Sequence, residues 1–100
     1  MHCLTVTYPM PDDPDRFRDY YASVHLPLAK SLPGLLSSSH GFPERLGPGD
    51  APSCVFHAYF EDRNAMEAAL GSDIGARLAA DVPNYSPKGA SLSHHAVERH

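Results

Sequence analysis

The sequence predicts an α+β fold, with one antiparallel sheet and its helices on a single side. Three observations carry this expectation. Apolar residues alternate at period two in His2–Tyr8 and again in Cys54–Glu61. They recur at helical spacing after Asp13 and after Asp62. Breaks rich in Pro, Gly and Asp separate these runs, so strands and helices follow one another in the order βαββαβ.

In the first run, Leu4, Val6 and Tyr8 share one strand face, and Cys3, Thr5 and Thr7 the other. The break PMPDDP follows. Asp13 suits an N-cap, Pro14 the first helical position, and Asp15 the positive end of the helix dipole. Phe17, Tyr20, Tyr21, Val24 and Leu28 then fall on an inner face, opposite Arg16, Arg18, Asp19 and Ser23. Pro27 is expected to end this helix. It has no N–H for the carbonyl of Ser23, and it pushes Leu26 out of the α region. A short turn starting at Pro27 stops at Pro33-Gly34.

A strand from about Leu35 to Leu46 comes next, interrupted at Gly41 and Pro43, which implies a bulge or an edge position. Gly47–Pro52 reads as a hairpin loop, and Cys54–Glu61 as the clearest strand of the chain. Asp62 caps a helix through Met66, Ala69 and Leu70 that Gly71 closes. Ser72 or Asp73 caps another, with Ile74, Leu78 and Val82 inside and its end at Pro83. The last strand runs from about Ala90 to Val97. This order describes a ferredoxin-like sandwich. Its outer sheet face holds Thr5, Thr7, Val55, His57 and Tyr59, too apolar for water yet too polar for a core. A homodimer resolves the conflict, two sheets closing face to face into an α+β barrel about a two-fold axis.

One hundred residues fit a single domain spanning residues 1–100. The net charge of −4, with scattered Lys and Arg, argues against a nucleic-acid partner. There is no basic-then-apolar leader and no membrane-length apolar run, so a soluble, cytoplasmic protein is expected. Cys3 and Cys54 are expected as free, buried thiols at opposite ends of paired strands. His94 and His95 are neighbours on a strand, point to opposite faces and cannot chelate one ion together, and no other spacing indicates a metal. Nothing implies NAD, flavin or haem; the expected cofactor set is empty.

The stretch FRDYYASVHLPLAKSLPG, Phe17 to Gly34, resembles the hallmark segment of the EthD family, F-x-x-Y-Y-x-x-x-H-x-P-L-A-x-x-L-P-G. Every fixed position is present, and YFEDRNAMEAALGS and AADVPNY are similar to the family's second half. The resemblance implies a dimeric α+β barrel. The family is named for its association with ethyl tert-butyl ether degradation. Related small barrels carry cofactor-free chemistry: oxygenation to quinones, lactone isomerisation, decarboxylation and cyclisation.

His25 is the candidate acid/base. Phe17, Tyr21 and His25 sit at i, i+4 and i+8 and form one ridge. Near a helix end the free carbonyls favour an imidazolium and burial opposes it, so the ring can titrate near neutrality. The alternative is a histidine that merely caps the broken helix. Tyr21, His40, Tyr85 and Phe17 are the candidate binding residues: His40 lies in a polar strand that can line a cavity mouth, and Tyr85 can close one end of the pocket. His57 and Tyr59 are expected at the sheet-to-sheet interface, and Asp81 as a helix-end or turn residue. Two functions fit. One is a cofactor-independent oxygenase, isomerase or decarboxylase acting on a small hydrophobic or aromatic intermediate. The other is a non-catalytic accessory protein that holds such a molecule for a neighbouring oxygenase system.

Overall fold

Asp13, Asp62 and Ser72 start the three main helical stretches as expected, each by accepting a backbone N–H with its side chain. The donors are Arg16 at 3.1 Å, Ala65 at 2.8 Å and Gly75 at 3.1 Å. Each such cap is worth about 1 kcal/mol. The computed structural model describes all 100 residues, Met1–His100. In chain order they form β1 (His2–Tyr8), α1 (Pro14–Tyr20), a π-helical turn (Tyr21–His25), α2 (Leu26–Ala29), β2 (Ser37–Gly41), β3 (Cys54–Phe60), α3 (Arg63–Leu70), α4 (Asp73–Tyr85) and β4 (Ser91–Ala96).

The four strands form one antiparallel sheet in the order β2-β3-β1-β4, the ferredoxin-like arrangement. Burial in β3 follows the pleat: Cys54, Phe56, Ala58 and Phe60 are buried, while Val55, His57 and Tyr59 between them are only half-buried. The buried set faces the helices, where it meets Leu4, Tyr8, Phe17, Tyr21 and Met66 in one core. A fully buried side chain of this size contributes about 1.5–3 kcal/mol, so this single core is the main stabilising element. The register pairs Cys3 with Tyr59 and Tyr8 with Cys54. The two thiols therefore lie at opposite ends of the strand pair, both free and buried. His94 pairs with Leu4 and His95 with Cys3, which places the two imidazoles on opposite faces.

Three boundaries differ from expectation. The first helix does not end at Pro27. Leu26 keeps right-handed helical dihedrals (φ −59°, ψ −45°), and its N–H bonds to the carbonyl of Tyr21. That i to i+5 bond widens the turn, and the wider turn carries the proline ring past the Ser23 carbonyl with which it would clash in a regular helix. The Ser23 hydroxyl adds a bond back to the Asp19 carbonyl at 2.7 Å, a contact that bends helices. Second, α4 continues through Pro83 to Tyr85. The carbonyl deprived of its partner belongs to Ala79, which is exposed and can turn to water. Third, β2 covers only Ser37–Gly41, at the sheet edge, because Pro43 cannot extend the ladder.

Gly75 sets how closely α4 follows α3. A Cβ built on it would lie 2.3 Å from the Leu70 carbonyl oxygen and 2.6 Å from that of Ala69. Backbone atoms cannot yield as a side-chain tip does. Gly75→Ala is therefore expected to cost about 1–3 kcal/mol of stability, measured by urea unfolding.

Candidate functional site

Between the helices and the sheet lies a cavity of about 270 Å³. Thirteen of its 15 lining residues are hydrophobic, and none is Lys or Arg, so its wall offers no cation to an anionic ligand. The sheet supplies Leu4, Val6, Tyr8 and Phe56, and α4 supplies Leu78 and Val82. The π turn contributes both of its ends, Tyr21 and His25.

The ridge expected from the spacing is present as a ladder of rings. Phe17 stacks on Tyr21 at 5.5 Å and 16°, and Tyr21 stacks on His25 at 5.5 Å and 17°. Against this ladder α4 places Tyr85, whose ring centre is 4.7 Å from that of His25. Tyr85 also stacks on Tyr20 and shares a buried hydroxyl–hydroxyl bond of 2.8 Å with Tyr8. Burial raises the phenol pKa values of Tyr8, Tyr21 and Tyr85, so all three stay protonated near neutrality.

His25 is 6% exposed, and its Nδ1 lies 2.9 Å from Asp81 Oδ2. Asp81 also accepts a 2.5 Å bond from the Tyr20 hydroxyl and a 3.1 Å bond from the Asn84 amide, both at Oδ1. Burial pushes the Asp81 carboxyl up, but the donors Tyr20, Asn84 and His25 outweigh it and hold the group below the usual carboxylate range. Burial likewise pulls the His25 imidazole below its ordinary range, against the opposing pull of Asp81. The two shifts agree on one state near neutrality: an ionised Asp81 accepting from the Nδ1–H of a neutral His25. In that tautomer Nε2 is an acceptor, and it has no partner within the chain. A histidine of this kind can take a proton from a molecule held in the cavity.

Of the expected site residues, His25 and Tyr21 line the cavity. Tyr21 contributes its ring, while its hydroxyl is buried without a hydrogen-bond partner. Tyr85 stands behind His25, and Phe17, the first ring of the ladder, sits in the core; neither forms part of the wall. His40 is exposed on β2, edge-on to Tyr21 at 5.9 Å, and also lies outside the wall. Asp81 is neither a helix-end nor a turn residue but the partner of His25, inside α4. Tyr8, not singled out as a site residue, both lines the cavity and anchors Tyr85. No three or more His, Cys, Asp or Glu side chains come together in a group able to hold a metal ion.

A four-stranded antiparallel sheet with its helices on one side, and a histidine-bearing cavity between them, places the chain among ferredoxin-like α+β proteins. Residues 11–89 match the EthD domain, and the chain belongs to the EthD family. It is 33% identical over 94 residues to an uncharacterized 11.0 kDa protein from the thcB-thcC intergenic region of Rhodococcus erythropolis, covering 92% of this chain and 90% of that one. Among solved structures, an EthD family protein from Bacillus halodurans superimposes with a TM-score of 0.90 at 22% identity, covering 98% of this chain and 99% of that one. The same fold recurs in SnoaB, a cofactor-independent oxygenase from Streptomyces nogalater (TM-score 0.67, 17% identity, 99% and 94% covered). It is also found in a dimeric ferredoxin-like protein from Thermobifida fusca (TM-score 0.71, 13% identity, 96% and 90% covered).

The histidine also sets a pH dependence of stability. Its folded-state pKa lies below the unfolded value of 6.5, so below that pH the unfolded chain takes up a proton that the folded chain refuses. Stability is therefore full above about pH 6.5 and falls as pH drops from there toward the folded pKa. Asp81, also held low, keeps its contribution until its own, more acid range. In thermal melts from pH 8 to 5, His25→Gln should show a flatter decline than the unmodified protein. Parallel declines would place the imidazolium in a solvated setting.

Proposed function

We propose that the protein is a cofactor-independent enzyme that removes a proton from a small, uncharged, hydrophobic or aromatic molecule, with His25 Nε2 as the base. The observation that carries this reading is the 2.9 Å contact of His25 Nδ1 with Asp81 in a residue that lines an apolar cavity, which favours the tautomer with a free Nε2. A histidine that only capped a helix end would spend its ring nitrogen on a backbone carbonyl. Here Nδ1 is bonded to a carboxylate instead.

The ligand class follows from the wall. An anionic substrate would find no Lys or Arg there, and the Asp81 charge stands directly behind the base. An unpaired charge buried in such a site costs several kcal/mol. Neutral phenols and enolisable carbonyl compounds avoid that cost and carry an acidic proton. His25 takes this proton, leaving an enolate or phenolate beside an imidazolium that Asp81 stabilises. Loss of such a proton is the opening step of both isomerisation and cofactor-free reaction with O₂, the class of SnoaB.

We further propose that the whole chain acts as one domain and assembles as a homodimer through the outer sheet face. The half-buried Thr5, Thr7, Val55, His57 and Tyr59 support this, as does the dimeric state of the Thermobifida fusca protein. No helix is long and apolar enough to cross a membrane, and a cytoplasmic location accords with this proposal.

Two experiments test these readings. Proton–deuterium exchange at the acidic CH₂ of 2-tetralone in D₂O, followed by NMR, should be accelerated by the protein. His25→Gln should slow the catalysed part at least about a hundredfold while the fold and tetralone binding persist. Binding with equal exchange rates in both proteins would favour the carrier role. For assembly, Tyr59→Glu places a charge in the proposed interface, and light scattering should find a monomer where the parent is a dimer. A folded, dimeric variant would put the interface elsewhere.

A further inference from the structure

We propose that Tyr20 is a positioning residue for His25, acting through the Asp81 carboxylate to hold the imidazole in its neutral, Nε2-accepting form. Its catalytic meaning rests on the reading of His25 as a base; its physical content does not.

The geometry gives each oxygen of Asp81 a separate task. Oδ1 accepts from Tyr20 at 2.5 Å and from Asn84 at 3.1 Å, and Oδ2 accepts from His25 at 2.9 Å. With Oδ1 held twice, the carboxylate cannot rotate away, and Oδ2 is left to the imidazole. A phenol has a single proton to give, and a contact this short to a carboxylate oxygen is a charge-assisted bond. It draws negative charge toward Oδ1, leaving less at Oδ2 to stabilise an imidazolium. Tyr20 thus fixes the orientation of His25 and restrains its tendency to stay charged.

Few other groups face His25. Tyr21 lies below it on its own helical rod, and Asp81 and Tyr85 come from α4. From the sheet, Tyr8 is the titratable residue that shares the cavity wall with His25, and its hydroxyl is engaged with Tyr85. Asp81 is the one charged group on which the imidazole depends.

The π turn makes the arrangement possible. Tyr20 and His25 are five residues apart, and in a regular helix they would point about 140° away from each other. The widened turn brings the fifth residue back over the first, so both side chains reach one carboxylate on α4.

The test is the NMR titration of the His25 ring, with long-range ¹H–¹⁵N spectra to report the tautomer. Tyr20→Phe keeps the ring that stacks on Tyr85 at 5.6 Å and removes only the hydroxyl. The His25 midpoint should move to higher pH, and the acid limb of any 2-tetralone exchange profile should move with it. Site-specific 3-fluorotyrosine at position 20, a stronger donor with almost the same shape, should move the midpoint to lower pH. A purely structural role for Tyr20 gives neither opposed shift. An unmoved midpoint in the fluorotyrosine protein overturns the proposal, even if Tyr20→Phe fails to fold. Since the titration needs no substrate, it can fail while the exchange result stands, and the reverse.

Discussion

Pro27 has no amide hydrogen, and the way the helical rod absorbs that loss determines where its aromatic side chains go. A break at this point would free the chain to turn, and Tyr21 and His25 would belong to a frayed end. Instead one residue too many is folded into a single turn, with Leu26 bonded to Tyr21, and the rod runs on to Ala29. The cost is local, in weaker backbone bonding across the turn. What it secures is alignment: three rings in a ladder on one side and a fourth beside α4. Turns of this kind often mark functional sites, because they bring residues five apart, which a regular helix turns about 140° away from each other, toward the same side.

The second half of the site depends on a polar group placed where apolar ones belong. Leu78, Asp81, Val82 and Tyr85 fall at i, i+3, i+4 and i+7 along α4, the inward stripe of an amphipathic helix. A carboxylate in such a stripe is tolerable only if every lone pair that matters is met. Asp81 meets this condition with three donors on two oxygens. Removing any one donor leaves a partly buried carboxylate to the other two, so Tyr20, His25 and Asn84 share one charge between them.

Much of this was legible beforehand. Period-two alternation placed Leu4, Val6 and Tyr8 toward the helices and Thr5 and Thr7 away from them; capping residues marked each helix start; and the i, i+4 spacing of Phe17, Tyr21 and His25 foretold the ladder. The misses share one cause. Proline reads as a stop at both Pro27 and Pro83, whereas one is absorbed by a widened turn and the other frees only the carbonyl of an exposed residue. A helix that stops at Pro83 excludes Tyr85 and leaves Asp81 at its margin, so the stripe, and with it the partner of His25, is not legible from the sequence. His40 misled for a different reason. It does sit on the helical side of the sheet, paired with Phe56, but on an edge strand beyond the reach of the cavity wall.

The sheet also ends in two open edges, and their composition bears on how the protein behaves at high concentration. Unpaired strand edges are templates on which further strands can grow. Here one edge reads Ser-Ser-Ser-His-Gly and the other Ser-Leu-Ser-His-His-Ala. Short hydroxyl side chains keep water on the backbone, and imidazoles add polar ring nitrogens beside them, so a strand from another molecule meets a solvated rather than a sticky border. Colloidal stability in this fold is thus written into its least ordered-looking sequence, the serine and histidine runs that contribute nothing to the core.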